Sequence, residues 1–355
     1  MIDIKKLSED DQKLISYIPI ELIDKKRLDN FLLSRKEERE KLTKLKSLPY
    51  HYVVEPTNFC NLGCPLCPTG LKIDSRSKGM LKIESFKKIL SKIESSALEI
   101  YLQNWGEATL LKYLPEIIKL CSDKKIYTNL STNFSISYKG DFLYNLIKSG
   151  LTVLHIDLDG TTQDVYSEYR KNGKLDIVLK NIKEVVKIKK ELGFTYPIIE
   201  TTFLAMKHNE HQIDEFKKLS SELGVDQFNV GKIQVNPSLA SSKKWLPENQ
   251  NYVYPTYTNM QKKNINPCHW PWSGMVINWD GNISACCIVD DIDADFGNIF
   301  NHELKDIWNN NKYISARSEF SDQSEISEKT ICNVCKNETH NLALNRKGDS
   351  FSIEF

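Results

Sequence analysis

Residues Glu55–Gly70 read EPTNFCNLGCPLCPTG and place three cysteines, Cys60, Cys64 and Cys67, within eight positions. The stretch follows a short β-type run, YHYVVEP, that begins at Tyr50. Three thiols spaced C-x3-C-x2-C on one loop can bind three corners of a 4Fe–4S cube and leave the fourth iron open. The alternatives are a structural zinc knuckle, which would need a fourth ligand nearby, and thiols without a shared function.

Composition excludes several classes of protein. The 355 residues include 48 Lys and Arg against 47 Asp and Glu, and this balance predicts neither a nucleic-acid partner nor a membrane partner. The N-terminus lacks the apolar core of a signal peptide, and no run of about 18 apolar residues could span a bilayer. We therefore expect a cytoplasmic protein, in which nine clustered cysteines indicate metal ligation or redox chemistry rather than a disulfide framework.

Short β-type runs alternate with helical runs along residues 50–236. The predicted strands lie at 50–56, 98–104, 124–132, 152–160, 197–204 and 226–233. The predicted helices lie at 83–96, 114–124, 141–150, 175–193 and 213–224. Repeated β–α units indicate an α/β fold with a parallel sheet and helices outside it. The cysteine loop then lies at the carboxyl edge of the sheet, where such folds build their active sites.

The chain divides into five predicted segments. They are a helical N-terminal extension at 1–49, the α/β body at 50–236, a Pro-, Ser- and Asn-rich linker at 237–266, a cysteine-rich domain at 267–340 and a tail at 341–355. In the cysteine-rich domain, Asp280-Gly281 lies between two short apolar runs and predicts a tight hairpin.

The cysteine loop, placed after the first strand, resembles that of the radical S-adenosylmethionine (SAM) enzymes, and the resemblance covers most of the chain. It implies a partial (β/α)6 TIM-type barrel, with a 4Fe–4S cluster on Cys60, Cys64 and Cys67 and SAM on the open iron. In that family a flavodoxin- or ferredoxin-type donor supplies one electron. SAM is then cleaved to methionine and a 5′-deoxyadenosyl radical, which takes a hydrogen atom from the substrate.

The stretch NWGEATL after the second strand matches the Gly-Gly-Glu motif of the family. The resemblance assigns Gly106 and Glu107 to the methionine ammonium group of SAM, although a simple strand-end turn is the alternative for Gly106. Trp105 departs from the motif, because the family usually has glycine there. Leu66 departs too, since an aromatic residue often precedes the last cysteine of the loop.

Two later stretches also match in order. TNLSTNF follows the third strand, and the resemblance makes Ser131, Thr132 and Asn133 contacts of the cofactor. HIDLDG follows the fourth strand, with Asp157 where the family has a ribose-binding serine and Arg170 further on as a partner for the cofactor carboxylate. The alternative for Asp157 and Arg170 is an ion pair without a ligand.

A second set of four cysteines follows the linker, at Cys268, Cys286, Cys332 and Cys335. Four thiolates can enclose a 4Fe–4S cluster with no open iron. The stretch resembles the SPASM/Twitch auxiliary-cluster domain of radical SAM enzymes, in the form with a single auxiliary cluster. A four-cysteine zinc ribbon is the alternative.

Two further candidates concern the reaction itself. Cys287 is a fifth cysteine beside the four of the second set. Three roles are open to it: a thiol packed in the core, the cluster ligand in place of Cys286, or a hydrogen-atom donor to the substrate. An oxidation also needs a general base, for which Asp159, Glu200 and His155 lie near strand ends. We take Cys287 and Asp159 as the predicted catalytic residues.

The substrate prediction comes from the resemblance alone. The cysteine layout is similar to that of family members acting on aminocyclitols, so we expect oxidation or epimerisation of a sugar, aminocyclitol or other polyol. The alternative is a maturase that epimerises, oxidises or cross-links a ribosomally made peptide. Residues 1–49 lack the three-stranded pattern of a winged-helix peptide-recognition domain, which favours the small substrate.

Overall fold

Nine strands form one sheet in the computed structural model, which describes residues 7–73, 75–233, 244–253, 268–321 and 328–337. The strands are β1 His51–Val54, β2 Glu99–Tyr101, β3 Tyr127–Thr132, β4 Val153–Asp157, β5 Ile198–Ala205, β6 Gln227–Lys232, β7 Gly274–Ile277, β8 Asn282–Ser284 and β9 Gly297–Asn298. Their order is β6-β5-β4-β3-β2-β1-β7-β8-β9, and β1 to β6 pair in parallel. The predicted α/β class and all six predicted strands are confirmed.

Helices cover the outer side of this sheet. They are α1 Glu9–Ile15, α2 Lys25–Arg39, α3 Pro68–Leu71, α4 Ile83–Ile93, α5 Leu114–Asp123, α6 Phe142–Lys148, α7 Gln163–Tyr169, α8 Leu175–Leu192, α9 Ile213–Leu223, α10 Trp270–Ser273, α11 Leu304–Trp308, α12 Asn311–Ser318 and α13 Ile331–Asn337. In the described part of the chain, none of them is long and apolar enough to cross a membrane.

The sequence of α8 shows why these helices pack as they do. Val178, Ile182 and Val185 recur at helical spacing and are fully buried, so one face of the helix covers the sheet. Gly193 ends the helix with a φ of 65°, the left-handed conformation that glycine adopts without strain.

The barrel does not close. β1 pairs on one side with β2 and on the other with β7, also in parallel, so the sheet continues into the C-terminal segment instead of joining β6 to β1. β7 and β8 form the hairpin predicted at Asp280-Gly281, where Gly281 has a φ of 84°. Of the predicted linker, only residues 244–253 are described, and the predicted tail lies outside the described residues.

The N-terminal helices close the amino end of the barrel. Ile15 and Phe31 are buried against Tyr50 and Leu98, which lie at the beginnings of β1 and β2. The Tyr17 hydroxyl also donates a 2.7 Å hydrogen bond to the carboxylate of Glu99 inside the barrel. These contacts leave the carboxyl end of the strands as the open end of the fold.

Candidate active site

The three-cysteine loop begins directly after β1, at the carboxyl end of the sheet. Cys64 is buried and Cys60 and Cys67 are half-buried. Burial raises the pKa of Cys60 to about 12 and that of Cys64 to about 11, and the negative charge of a neighbouring thiolate adds to both shifts. The thiols therefore lie close enough to act on one another.

The chemistry of this loop fits the cluster that the sequence predicts. Three partly buried thiols on one loop can occupy three corners of a 4Fe–4S cube. Within the described residues, no three His, Cys, Asp or Glu side chains converge as the ligands of a single metal ion would. Two buried polar atoms near the inner face of the barrel, Gln103 Oε1 and Thr202 Oγ1, have no hydrogen-bond partner in the described chain, and a bound ligand could supply one.

Gly106 lies where two loops pass in direct contact. A Cβ atom on Gly106 would meet the carbonyl oxygen of Thr57 at 1.9 Å, so no side chain fits there. The next residue, Glu107, donates its backbone N–H to the Phe59 carbonyl at 2.8 Å. The loop after β2 is thus fixed against the base of the cysteine loop.

Glu107 is a buried carboxylate with several donors. It accepts hydrogen bonds from the backbone and hydroxyl of Thr109, from the Thr132 hydroxyl at 2.7 Å and from the Asn133 backbone at 2.8 Å. Burial raises its pKa, and these hydrogen bonds oppose that shift. The carboxylate therefore joins the loop after β2 to the end of β3, and contact of Glu107 with the cofactor stays a prediction.

The end of β3 brings the next predicted residues beside the cysteines. The Asn133 side-chain amide lies 3.9 Å from Cys60 Sγ and donates to Asn61 at 3.0 Å. Ser131 is half-buried and unlike Thr132 is not engaged by Glu107. Contacts of Ser131, Thr132 and Asn133 with the cofactor stay predictions.

Arg170 pairs with two carboxylates. Its Nη2 lies 3.3 Å from Asp157 Oδ2, and its Nε donates to Asp159 Oδ2 at 2.5 Å. The other oxygen of Asp159 accepts from the Leu204 backbone at 2.7 Å, and Asp159 is fully buried. The positive charge of Arg170 also opposes the rise in the pKa of Cys64, which places the guanidinium near the cysteine loop. Asp159 thus orients Arg170, and this setting disfavours it as the general base.

His155 and Glu200 are half-buried neighbours in the register of β4 and β5. His155 Nδ1 lies 3.6 Å from Glu200 Oε2, and its Nε2 lies 3.9 Å from Asp157 Oδ1. Burial lowers the pKa of His155, but the neighbouring carboxylates of Glu200 and Asp157 outweigh it and raise the pKa overall. Of the three predicted bases, these two are partly accessible, whereas Asp159 is fully buried.

The four cysteines of the second set lie near enough to influence one another's pKa. Burial raises the pKa of Cys286, and the thiolates of Cys332 and Cys268 raise it further. Cys332 is affected in the same way by Cys268 and Cys335. Four neighbouring thiols can enclose a fully ligated cluster, and the zinc-ribbon alternative stays untested.

The two remaining cysteines differ in exposure. Cys121 is fully buried in α5, where it packs in the core. Cys287 is exposed, so the alternative of a thiol packed in the core is wrong. Its role as a hydrogen-atom donor stays a prediction.

Sequence reasoning missed one buried acid, Glu55, at the end of β1. Its carboxylate accepts the backbone N–H groups of Trp105 at 3.2 Å and Trp279 at 3.4 Å. Burial raises its pKa to about 7. A charged residue directly after an apolar strand and five positions before Cys60 was the signal available in the sequence.

Comparison with protein families identifies both parts of the chain. The profile of the radical SAM superfamily matches residues 54–230, and the SPASM profile, an iron–sulfur cluster-binding domain, matches residues 268–336. The two matched ranges contain all seven predicted cluster cysteines.

Two curated relatives match along most of their length. The PqqA peptide cyclase of Bradyrhizobium diazoefficiens is 26% identical over 309 residues, which cover 78% of this chain and 77% of the relative. The tungsten-containing aldehyde ferredoxin oxidoreductase cofactor-modifying protein of Pyrococcus furiosus is 23% identical, covering 75% of this chain and 82% of that protein.

Solved structures share the fold. Streptococcus suis SuiB bound to S-adenosylmethionine matches with a TM-score of 0.63 and 18% identity over 92% of this chain and 82% of SuiB. The enzyme anSMEcpe with bound AdoMet and a Cp18Cys peptide matches with a TM-score of 0.53 and 14% identity, over 76% of this chain and 83% of that one. The chain belongs to the radical SAM superfamily and carries a SPASM domain, so its cofactors are SAM, the 4Fe–4S cluster that binds SAM, and auxiliary iron–sulfur clusters.

Proposed function

We propose that this radical SAM enzyme modifies a ribosomally made peptide by cross-linking, oxidation or epimerisation. The observation that carries the proposal is the similarity to the PqqA peptide cyclase, which extends over about three quarters of both chains. The sugar or polyol substrate that the cysteine layout predicts has no comparable support, because neither curated relative described above is named for such a substrate.

The edge of the described sheet at β6 supports a substrate in extended form. β6 is the edge strand of the sheet, and Gln227, Phe228 and Asn229 on it are exposed. An exposed edge strand can pair with an extended chain, and a peptide is such a chain. SuiB, which shares the fold, has been crystallised with its precursor peptide SuiA.

The residues of the barrel divide into two tasks in this proposal. Cys60, Cys64 and Cys67 would hold the catalytic cluster, and the loops around Gly106, Asn133 and Arg170 would hold SAM. When bound, these cofactors supply one-electron reduction and hydrogen-atom abstraction.

A second pair of residues, His155 and Glu200, would bind the proton that an oxidation releases. His155 would accept it at Nε2, while Glu200 orients the ring through Nδ1 and stabilises the imidazolium that results. Asp157, which lies 3.9 Å from that Nε2, adds a second negative charge beside it.

The substrate class can be tested with the anaerobically reconstituted protein, dithionite and SAM. The probes are synthetic peptides encoded by the open reading frames that flank the gene, and a panel of monosaccharides and aminocyclitols. We expect a peptide to raise the formation of 5′-deoxyadenosine and to lose two hydrogens or invert one residue. A sugar or aminocyclitol that raises 5′-deoxyadenosine and is itself converted would overturn the peptide assignment.

Turnover in heavy water separates the possible reactions. Epimerisation through the exchangeable thiol of Cys287 must place deuterium at the inverted carbon, and Cys287→Ala should abolish that product. Cross-linking or oxidation incorporates no deuterium at the reacting carbon, and there His155→Gln should slow product formation while cleavage of SAM continues.

A further inference from the structure

Trp105, which replaces a glycine usual in the family motif, reaches from the barrel to the auxiliary-cluster segment. Its indole Nε1 donates a 3.1 Å hydrogen bond to the carbonyl of Val289. Val289 in turn donates its backbone N–H to the carbonyl of Cys286 at 3.3 Å. Val289 thus closes the turn of residues 286–289, here called the cysteine turn, which carries Cys286 and Cys287.

The backbone at the other end of this contact is fixed. Trp105 donates its own N–H to the fully buried carboxylate of Glu55, and the neighbouring Gly106 lies against the Thr57 carbonyl with no room for a side chain. Glu55 also donates its N–H to the Ile277 carbonyl at 2.9 Å, which continues the pairing of β1 with β7. The indole therefore extends from a backbone that has little freedom to move.

Arg76 holds the flanks of the same turn. Its guanidinium donates to the Ser284 hydroxyl at 3.0 Å and to the Asp291 carbonyl at 3.1 Å. It also forms a buried ion pair with Asp295. The residues just before and just after the cysteine turn are thus fixed by Arg76, and Trp105 bonds the turn at Val289.

We propose that Trp105 is a positioning residue that fixes the cysteine turn above the carboxyl end of the barrel. Through Val289 it sets where the cluster ligand Cys286 and the exposed thiol of Cys287 stand relative to the SAM-binding loops. Glycine at this position has no side chain and cannot make the hydrogen bond to Val289. The contact therefore requires the tryptophan of this chain. The inference does not depend on which substrate the enzyme takes.

Reactivity of the Cys287 thiol reports the freedom of the turn. Cys287 is exposed, Cys121 is fully buried, and the other seven cysteines are the predicted cluster ligands. The reconstituted protein is treated anaerobically with N-ethylmaleimide, and labelling is followed by tandem mass spectrometry of the tryptic peptide 264–305, whose fragment ions distinguish Cys287 from Cys268 and Cys286. Because the readout is resolved by residue, it remains valid whatever number of clusters the protein holds.

Trp105→Phe keeps a large ring and removes the indole donor. We expect Cys287 to be labelled about fivefold faster, the factor that corresponds to a net loss of about 1 kcal/mol for one hydrogen bond. The matched control is Trp279→Phe, which removes the 3.2 Å bond from Trp279 Nε1 to the Ser77 carbonyl and does not touch the turn. The control should label at the rate of the unmodified protein.

The electron paramagnetic resonance spectrum of the reduced auxiliary cluster gives a second readout. It should change in Trp105→Phe and in Trp105→Gly, the family residue, and stay unchanged in Trp279→Phe. Labelling and spectrum unaltered in both Trp105 variants would overturn the proposal. Equal acceleration in Trp105→Phe and Trp279→Phe would overturn it too, because it would show general loosening of the fold.

Discussion

Glu55 is a carboxyl group enclosed at the end of β1 with two backbone N–H donors. Burial raises its pKa to about 7, and the hydrogen bonds from Trp105 and Trp279 oppose this shift without cancelling it. The folded protein therefore retains a proton on Glu55 at pH values where the unfolded chain, with a pKa near 4.3, has released it.

This difference has a definite sign. Between about pH 4 and pH 7 the folded state binds more protons than the unfolded state, so the contribution of Glu55 to stability is full below this window and is lost as the pH rises through it. Between about pH 4 and pH 7 the free energy of unfolding of the parent protein should therefore fall. We expect this fall to be smaller by about 2–3 kcal/mol in Glu55→Gln. Urea titrations of the reconstituted protein at the two ends of the window measure it.

The control for this prediction is Glu84→Gln, at an exposed carboxylate on α4. Other buried acids contribute to the same pH dependence, so only the difference between each variant and the parent protein counts. An unchanged pH dependence in Glu55→Gln would contradict the assigned pKa.

At the residue scale, chemistry is predictable from sequence where one loop contains the whole motif. The spacing of Cys60, Cys64 and Cys67 indicates their cluster without any tertiary information. Trp105 could be recognised as a departure, but its partner Val289 is 184 positions away, and the contact exists only because β7 pairs with β1. No local pattern encodes that pairing.

Among the elements, the long amphipathic helices and buried strands were predicted to within a few residues. The apolar periodicity of α8 and the apolar run of β1 each identify their element locally. The seven-residue α7 was not predicted, because its sequence, QDVYSEY, has few apolar residues, whereas the equally short α6, FLYNLIK, is mostly apolar. Arg170 lies at its C-terminal end, so a missed element orients a predicted site residue.

The loop after β2 provides a test at this scale. We expect Gly106→Ala to weaken SAM binding by roughly tenfold or more, because the added Cβ would overlap the Thr57 carbonyl and overpacking against backbone costs about 1–3 kcal/mol. Equilibrium dialysis of radiolabelled SAM under anaerobic conditions measures the affinity.

Gly63→Ala is the matched control, since it adds the same methyl group within the cysteine loop at an ordinary contact distance of 3.6 Å. It should bind SAM nearly as the parent protein does. Comparable affinity in Gly106→Ala would show that the two loops are not packed as described.

The two cysteine sets predict the iron content. Anaerobic reconstitution should give about eight irons per chain, as two 4Fe–4S clusters require. Replacing Cys60, Cys64 and Cys67 by alanine should halve this number, and so should replacing the four cysteines of the second set. Four irons in the unmodified protein, or zinc in the second site, would contradict the prediction of an auxiliary iron–sulfur cluster.

On the scale of the whole molecule, Arg317 joins segments that are distant in sequence. It is fully buried, and its guanidinium donates to the carbonyls of Pro271, Thr43 and Trp308 at 2.7–2.9 Å. It also lies 4.5 Å from the ring centroid of Trp308. Burial lowers its pKa to about 9, so it remains charged at neutral pH.

Arg317→Lys should lower the free energy of unfolding by about 3 kcal/mol, because a lysine ammonium group cannot reproduce three donors in the plane of the guanidinium. Arg39→Lys is the matched control, since the Arg39 side chain is 52% exposed and its buried partner Asp11 also pairs with Arg35. That change should cost less than about 1 kcal/mol. Equal losses in urea unfolding of the two variants would contradict the role of Arg317.

The pairing of β1 with β7 also sets an order of events during synthesis. Val54 and Gly274 are 220 positions apart, a length of chain that takes a ribosome on the order of 10–40 s to make. During that interval β1 has one free edge, and an unpaired apolar strand is a template for association with other chains. A chain interrupted before Gly274 therefore exposes an edge of β1 that the completed sheet covers.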